Sequence, residues 1–512
     1  MSGFDIRDLL QAASASAADH APVLASRQAP VPTAEGVARV AVRPRYSPVV
    51  LAGLVRAVEF GLVLITGLVV HRLYLADTLP LMPLYAPAAA LVGAITVLVL
   101  QAMGAYSMAA FRGFVRFGLR LVAAWAVVFL LALAVLFFAK AGETVSRVWL
   151  AGWFALGLGT LLAERLAVAA LVTNLSRSGR FDRRTAIVGG GPAGEAMIRA
   201  LEAQGDGGLR IMGVFDDRYD GRSPDVIAGY PKLGTVDDLV EYARHTGLDL
   251  VIFTLPISAE ARILTMLSKL WVLPIDIRLS AHSSRLRLRP RSYSYIGSVP
   301  VIDVFDKPIA DWDLVLKAMF DRVVGALLLL LLSPVMLAVA LAVKLDSRGP
   351  VLFRQKRHGF NNEAVEVFKF RSMYTEMTDH AAARQVTRGD PRVTRVGRFI
   401  RKTSLDELPQ LINVVFKGNL SLVGPRPHAL QAKAENRLYD QVVDGYFARH
   451  KVKPGITGWA QINGWRGETD TSEKIQRRVE HDLYYIENWS VFFDLYILAT
   501  TPFALLKTEN AY

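Results

Sequence analysis

The sequence predicts a membrane protein in three parts: a bundle of four transmembrane helices, a Rossmann-like α/β middle domain, and an α/β C-terminal domain seated at the membrane by a re-entrant helix hairpin. Three observations carry this reading. Apolar residues form 52% of the 512-residue chain, the mean hydropathy is +0.30, and the apolar residues gather into runs long enough to cross a bilayer. A glycine fingerprint opens alternating strand and helix patterns over 183–300. After Lys344 the composition turns basic, polar and dense in motifs.

Residues 1–46, rich in Ala, Ser and Pro, predict a disordered cytoplasmic tail with no signal-peptide apolar region. The chain has no cysteine, which excludes disulfides, thiolate metal sites and a cysteine nucleophile. The formal net charge of +13 suits anionic lipid or phosphorylated substrates. Nucleic acid would also match that charge but not the apolar runs.

Four spans are expected between 47 and 173, at about 48–71, 80–103, 118–139 and 148–172. Arg56 and Glu59 interrupt the first at a spacing that allows mutual neutralisation, and Glu164 with Arg165 interrupts the fourth. The tail, the second loop and the segment after the fourth span hold twelve cations, against three in the other two loops. Both ends of the bundle are therefore expected in the cytoplasm.

TAIVGGGPAGEAMIRAL, 185–201, reads as strand, glycine turn and helix, with Gly189, Gly191 and Gly194 in G-x-G-x-x-G spacing. GVFDD then places Asp216 or Asp217 where a ribose-binding carboxylate would sit. The repeated strand–helix pattern predicts a parallel sheet. Tight strand-to-helix turns need glycine whatever they bind, so the fingerprint alone does not establish a cofactor. No Tyr-x-x-x-Lys pair for a dehydrogenase lies in this region.

In the C-terminal domain, 312–512, VEVFKFRSM puts Lys369 and Arg371 on an expected strand. Arg388, Arg392, Arg395, Arg398, Arg401 and Lys402 recur every three or four residues, as in a cationic helical stripe. Asp406 and Glu407 follow it. Opposite charge favours an ionised carboxylate, available as a nucleophile or as an oxygen ligand for Mg²⁺. Arg426 stands between two prolines that limit its freedom, as a phosphate clamp requires. KPGITGWAQINGWRGETD is a glycine-rich loop, and the apolar segment after HDLYYIENWS suits an interfacial helix.

KFRSM, SLDELPQL, SLVGPRP, KPGITGWAQ and DLYYIENWS resemble the bacterial sugar transferase family of monotopic phosphoglycosyl transferases. The resemblance to its large, exopolysaccharide-priming form extends from about residue 46 to 512. It implies transfer of a hexose 1-phosphate, glucose on the strength of GWRGETDT, from a UDP-sugar to undecaprenyl phosphate at the bacterial inner membrane. It also implies release of UMP, use of Mg²⁺ shared between Asp406 and the substrate phosphates, and a covalent phosphosugar–aspartate intermediate. Carried over, Asp406 is the nucleophile and Glu407 its acid/base partner. Lys369, Arg371, Arg401, Arg426, Arg449 and Asp482 are carried over as substrate-binding or supporting positions. A nucleotide-sugar dehydratase or epimerase, or a non-catalytic assembly scaffold, are the alternatives, and assembly as a homodimer is left open.

ALLLLLLSPVMLAVALAV, 326–343, is long enough to span, but Ser333 and Pro334 sit in its middle. Pro334 lacks a donor, Ser333 can satisfy a freed carbonyl, and cations flank both ends. The expectation is helix, break, helix over about 318–344, with both ends cytoplasmic.

Overall fold

A computed structural model describes residues 45–75, 85–140, 145–203, 208–218, 223–256, 259–281, 294–296, 299–375, 390–428, 433–434, 437–438, 446–465, 467 and 471–506. The expected tail up to residue 44, Arg388, and half of GWRGETDT lie outside the described residues. Two compact units result, Arg43–Asp182 and a second built from Arg183–Tyr512.

In the first unit, four helices are long and apolar enough to cross a membrane: α1 Pro48–Tyr74, α2 Tyr85–Ala102, α4 Phe114–Phe138 and α5 Arg147–Arg177. The short α3, Met108–Arg112, lies in the connection between the second and third. Ser47 and Ser146 cap α1 and α5 through their hydroxyls, supplying acceptors to orphan N–H groups. The buried tryptophans hydrogen-bond backbone carbonyls of neighbouring helices, Trp149 to Gly67 at 2.9 Å and Trp153 to Val63 at 3.0 Å. Gly157 makes room for a third buried tryptophan, since a Cβ there would lie 2.6 Å from the Trp125 ring.

One expectation is corrected here. Glu59 is not neutralised by Arg56; it accepts from Arg165 Nε at 2.6 Å and from Tyr106 Oη at 2.5 Å. Arg56 instead lies 4.7 Å from the Tyr106 ring centroid. A fully buried carboxylate needs hydrogen bonds as well as charge, and the packing of α5 against α1 supplies both.

The second unit opens with an eight-stranded sheet. Its strands are β1 Arg183–Val188, β2 Leu209–Phe215, β3 Val226–Ile227, β4 Tyr230–Gly234, β5 Leu250–Phe253, β6 Asp276–Ser280, β7 Ser294–Ile296 and β8 Val299–Phe305, in the order β3-β4-β2-β1-β5-β6-β8-β7. The five from β4 to β6 are parallel, as the repeated pattern predicts. Helices α6 Pro192–Glu202, α7 Val236–Thr246 and α8 Glu260–Leu270 connect them. Central strands such as β5 are buried along their whole length, which explains their unbroken apolar sequence.

The C-terminal domain starts with α9, Asp311–Asp346. Its N-terminal half is fixed by buried charges: Lys317 Nζ donates to Asp494 at 2.6 Å and Val423 O at 3.0 Å, and Asp321 accepts from Leu422 N at 3.1 Å. Its C-terminal half packs Val339 and Val343 against Phe370 and Ile400 of the same domain. From Ala326 to Ala338 no residue is buried. The helix does not unwind at Ser333-Pro334, contrary to the expected break. The Leu330 carbonyl, deprived of its donor by Pro334, accepts Ser333 Oγ at 2.8 Å, so the hydroxyl replaces the missing N–H.

Strands β9 Leu352–His358 and β10 Ala364–Phe370 form an antiparallel hairpin. Asn413 extends it, accepting Phe368 N at 2.9 Å and donating to Glu366 O at 2.7 Å. The cationic stripe is not one helix. Among its described residues only α10, Arg395–Lys402, is helical, capped by Thr394 Oγ1 on Gly397 N, while Arg392 turns to Asp390 at 2.6 Å. Thr394 is a better cap than interior residue, and it starts the helix late. Strands β11 Ser421–Val423 and β12 Gly455–Thr457 pair in parallel, and helices α11 Ser472–Glu487 and α12 Val491–Leu506 complete the domain.

Candidate active site

The chain leaves α10 through Ser404, whose φ of +57° reverses its direction. A 3₁₀ turn over Leu405–Glu407 follows, and helical backbone continues through Leu408 and Pro409 into Gln410. This packs the Asp406-Glu407 pair beside β10.

Glu407 is clamped. Its Oε1 accepts from Lys369 Nζ at 2.7 Å and Arg426 Nη2 at 2.6 Å. Lys369 stands on β10 and Arg426 in the Gly424–Pro427 segment after β11. Burial works against the charge of Glu407, but Arg426 and Lys369 outweigh it and hold the carboxyl well below its ordinary range. Lys369 is pushed down by its own burial, with Glu407 opposing.

Asp406 differs from its neighbour. Among the described residues nothing hydrogen-bonds its carboxylate. Burial raises its pKa, Lys369 and Arg401 oppose the rise, and the adjacent Glu407 charge adds to it. The expectation that neighbouring cations favour the ionised form is thus met by Glu407, whereas for Asp406 desolvation outweighs them. One carboxylate is committed to protein cations and the other is free to meet a ligand.

A shallow recess opens here, lined among others by Lys369, Glu407, Arg426, Arg357 and Gln410. Arg357 and Gln410 escaped the sequence reading. Arg357 Nη1 donates to Pro427 O at 2.6 Å, steadying the segment that carries Arg426, and its Nη2 donates to Gln355 Oε1 at 2.7 Å. The signal was the period of two that puts Gln355 and Arg357 on one face of β9.

The remaining carried-over positions are not gathered around the recess. Arg449, fully buried, pairs with Asp482 at 2.6 Å and donates to the Arg426 carbonyl at 2.7 Å. His428 lies 2.6 Å from Arg449 Nη1, and burial with the neighbouring Arg449 and Arg478 holds it neutral. This cluster fixes the backbone behind Arg426. Arg371 caps the C-terminal end of α9, donating to Ser347 O at 2.7 Å and Arg348 O at 2.6 Å. Arg401, half-buried in the last turn of α10, acts on Asp406 through its charge.

The comparisons accord with this geometry. The family model described as bacterial sugar transferase matches residues 312–508, and one described as a CoA-binding domain matches 101–281. A UDP-glucose:undecaprenyl-phosphate glucose-1-phosphate transferase of Escherichia coli is 38% identical over 82% of this chain and 89% of its own length. The chain belongs to the bacterial sugar transferase family. A protein of the same description from Xanthomonas campestris is 35% identical over 90% of this chain and 94% of its own. A UDP-N-acetylgalactosamine-undecaprenyl-phosphate N-acetylgalactosaminephosphotransferase of Aeromonas hydrophila is 42% identical, but over 38% of this chain. The longer alignments carry the glucose description.

In the middle domain of this sugar transferase the glycine turn serves the backbone. A Cβ at Gly194 would lie 2.2 Å from the Gly189 carbonyl. Asp216, one of the two positions where a ribose-binding carboxylate would sit, is taken by Gly190 N at 2.7 Å and Arg218 Nη2 at 2.7 Å. Burial opposes its charge, yet these bonds bring its pKa down to about 2.

Proposed function

We propose that this enzyme transfers glucose 1-phosphate from UDP-glucose to undecaprenyl phosphate, releasing UMP, as the priming step of exopolysaccharide synthesis on the cytoplasmic face of the bacterial inner membrane. The observation that carries this is the free Asp406 carboxylate beside a Glu407 clamped by Lys369 and Arg426. The likeness to full-length glucose-1-phosphate transferases supports the sugar.

The Asp406 carboxylate attacks the phosphorus bonded to the sugar. An O–P bond forms, the pyrophosphate bond breaks, and UMP leaves with the bonding pair. The lipid phosphate then attacks the aspartyl phosphosugar, regenerating the carboxylate and forming the lipid diphosphosugar. Two steps at one carboxylate let the soluble product depart before the lipid reacts. Lys369 and Arg426 draw the donor phosphates in and offset charge on the transferring group. Glu407, held ionised, keeps both cations in place. Its acid/base role belongs to a state in which substrate phosphates have drawn those cations away.

Among the described residues no three His, Asp or Glu side chains gather as a metal site. Mg²⁺ often binds through one or two carboxylates together with substrate phosphates, and the unpartnered Asp406 suits that arrangement. Mg²⁺ there would neutralise charge on the departing UMP.

The re-entrant reading of α9 is part of the proposal. Anchoring of both its halves on one domain supports it, as does the exposed stretch between them around Pro334. A helix kinked at Pro334 without unwinding, so that it enters and returns, keeps Asp406 on the side where nucleotide sugars are made, with the lipid phosphate within reach.

Purified protein incubated with undecaprenyl phosphate and a panel of UDP-sugars tests this by UMP release. UDP-glucose should give the fastest release, and donor labelled in the β-phosphate should label the protein without lipid. Asp406→Asn should abolish both. Near-normal turnover in that variant would refute the nucleophile assignment.

A further inference from the structure

Resting on this reading of the reaction, we infer that Gln410 is a catalytic residue whose carboxamide donates a hydrogen bond to a non-bridging oxygen of the transferring phosphoryl group. The side chain lines the recess with Lys369, Glu407 and Arg426, in a residue only 2% exposed. Among the described residues it has no hydrogen-bond partner. The carboxamide is not a sealed, unpaired group; it keeps the residue's small exposure and is open to a ligand at the recess, while the amides around it are used: Asn413 bonds two backbone groups of β10 and Gln355 accepts from Arg357.

Position selects the phosphoryl oxygen. Helical backbone runs unbroken from Leu405 through Leu408 and Pro409 to Gln410. Gln410 therefore stands three residues from Glu407 and four from Asp406 on one face of the turn, where side chains are about 5–6 Å apart at Cβ. A phosphorus under attack by Asp406 comes within bonding distance of that carboxylate. Its oxygens then fall within reach of a glutamine amide one turn further on.

Chemistry agrees with position. Lys369 and Arg426 attract any phosphate, in ground and transition states alike. A neutral amide adds little attraction for the bound donor, but aimed where charge redistributes it favours the transition state. Being uncharged, it does not hold UMP back.

The test uses the full chain in detergent with UDP-glucose and undecaprenyl phosphate. Gln410→Met keeps length and bulk and removes the donor. It should lower kcat about 10²-fold, the loss typical for one preorganised oxyanion donor, and leave UDP-glucose affinity by calorimetry within about 3-fold, the split expected of a contact made in the transition state. Gln410→Glu, nearly the same shape, serves if the methionine variant misfolds. Its carboxylate repels the phosphoryl group, so activity should fall at least as far at pH 8. The deficit relative to wild type should shrink as pH falls and the carboxyl regains a proton to donate. A folded Gln410→Met with kcat within 3-fold of wild type, a loss confined to donor affinity, or a pH-independent deficit in Gln410→Glu would each overturn the inference. Failure of the wild-type protein to release UMP would instead refute the reading beneath it.

Discussion

Replacing Arg449 with methionine tests how the site is held from behind. The guanidinium is fully buried and serves three partners: Asp482 at 2.6 Å, the Arg426 carbonyl at 2.7 Å and His428 at 2.6 Å. Methionine keeps the stem and removes all three. Stranding one partner of a buried ion pair costs about 3–5 kcal/mol. Burial already raises the Asp482 pKa, so the stranded carboxyl takes up a proton, which limits the loss to about 3 kcal/mol at the low end of that range. For a domain of this size each kcal/mol lowers Tm by about 2–4 °C, giving a fall of about 6–12 °C. Turnover should fall further than stability explains, because the backbone of Arg426 is released beside Glu407. Adding Asp482→Asn to Arg449→Met should recover part of the Tm, having removed the cost of protonating a buried carboxyl, and none of the turnover. Thermal unfolding in detergent and UMP release measure the two effects. A single variant within 2 °C of wild type, or a double variant with wild-type turnover, would refute the reasoning.

Since the chain has no cysteine, single cysteines report topology cleanly. Leu314→Cys and Leu345→Cys, exposed positions near the two ends of α9, should both label from the cytoplasmic side alone, and labelling of the second from outside would establish a span. Pro334→Leu restores a backbone donor and should shift Leu345→Cys toward outside labelling. Burial pushes the Lys451 ammonium down to about 8, with Glu487 opposing. The unfolded chain then binds more protons between pH 8 and the ordinary lysine value, so stability should rise with pH across that window. Lys451→Met should flatten the rise in Tm. Added NAD should leave turnover unchanged, because Asp216 is committed to Arg218 and Gly190, and a nicotinamide cofactor required for activity would contradict this.

Local and periodic features of this chain were legible without coordinates. Span length, the fingerprint glycines and the alternation that places Lys369 on a strand depend on neighbours in sequence, and so did the adjacency of Asp406 to Glu407. From spacing and charge alone Asp406 and Glu407 looked equivalent, the resemblance gave them different roles, and packing gave them different partners. Lys369 and Arg426 lie 38 and 19 residues from Glu407, and only the fold decides which carboxylate they reach. Arg449 and Arg371 carried the same residue type as Arg426, yet burial turned them inward to hold backbone while Arg426 faces the recess. Glu59 had a cation three residues away and found its partner on another helix. A pattern in sequence states which charges must be satisfied. Their partners are chosen by chain segments brought together at long range, where desolvation makes a wrong pairing too costly to keep.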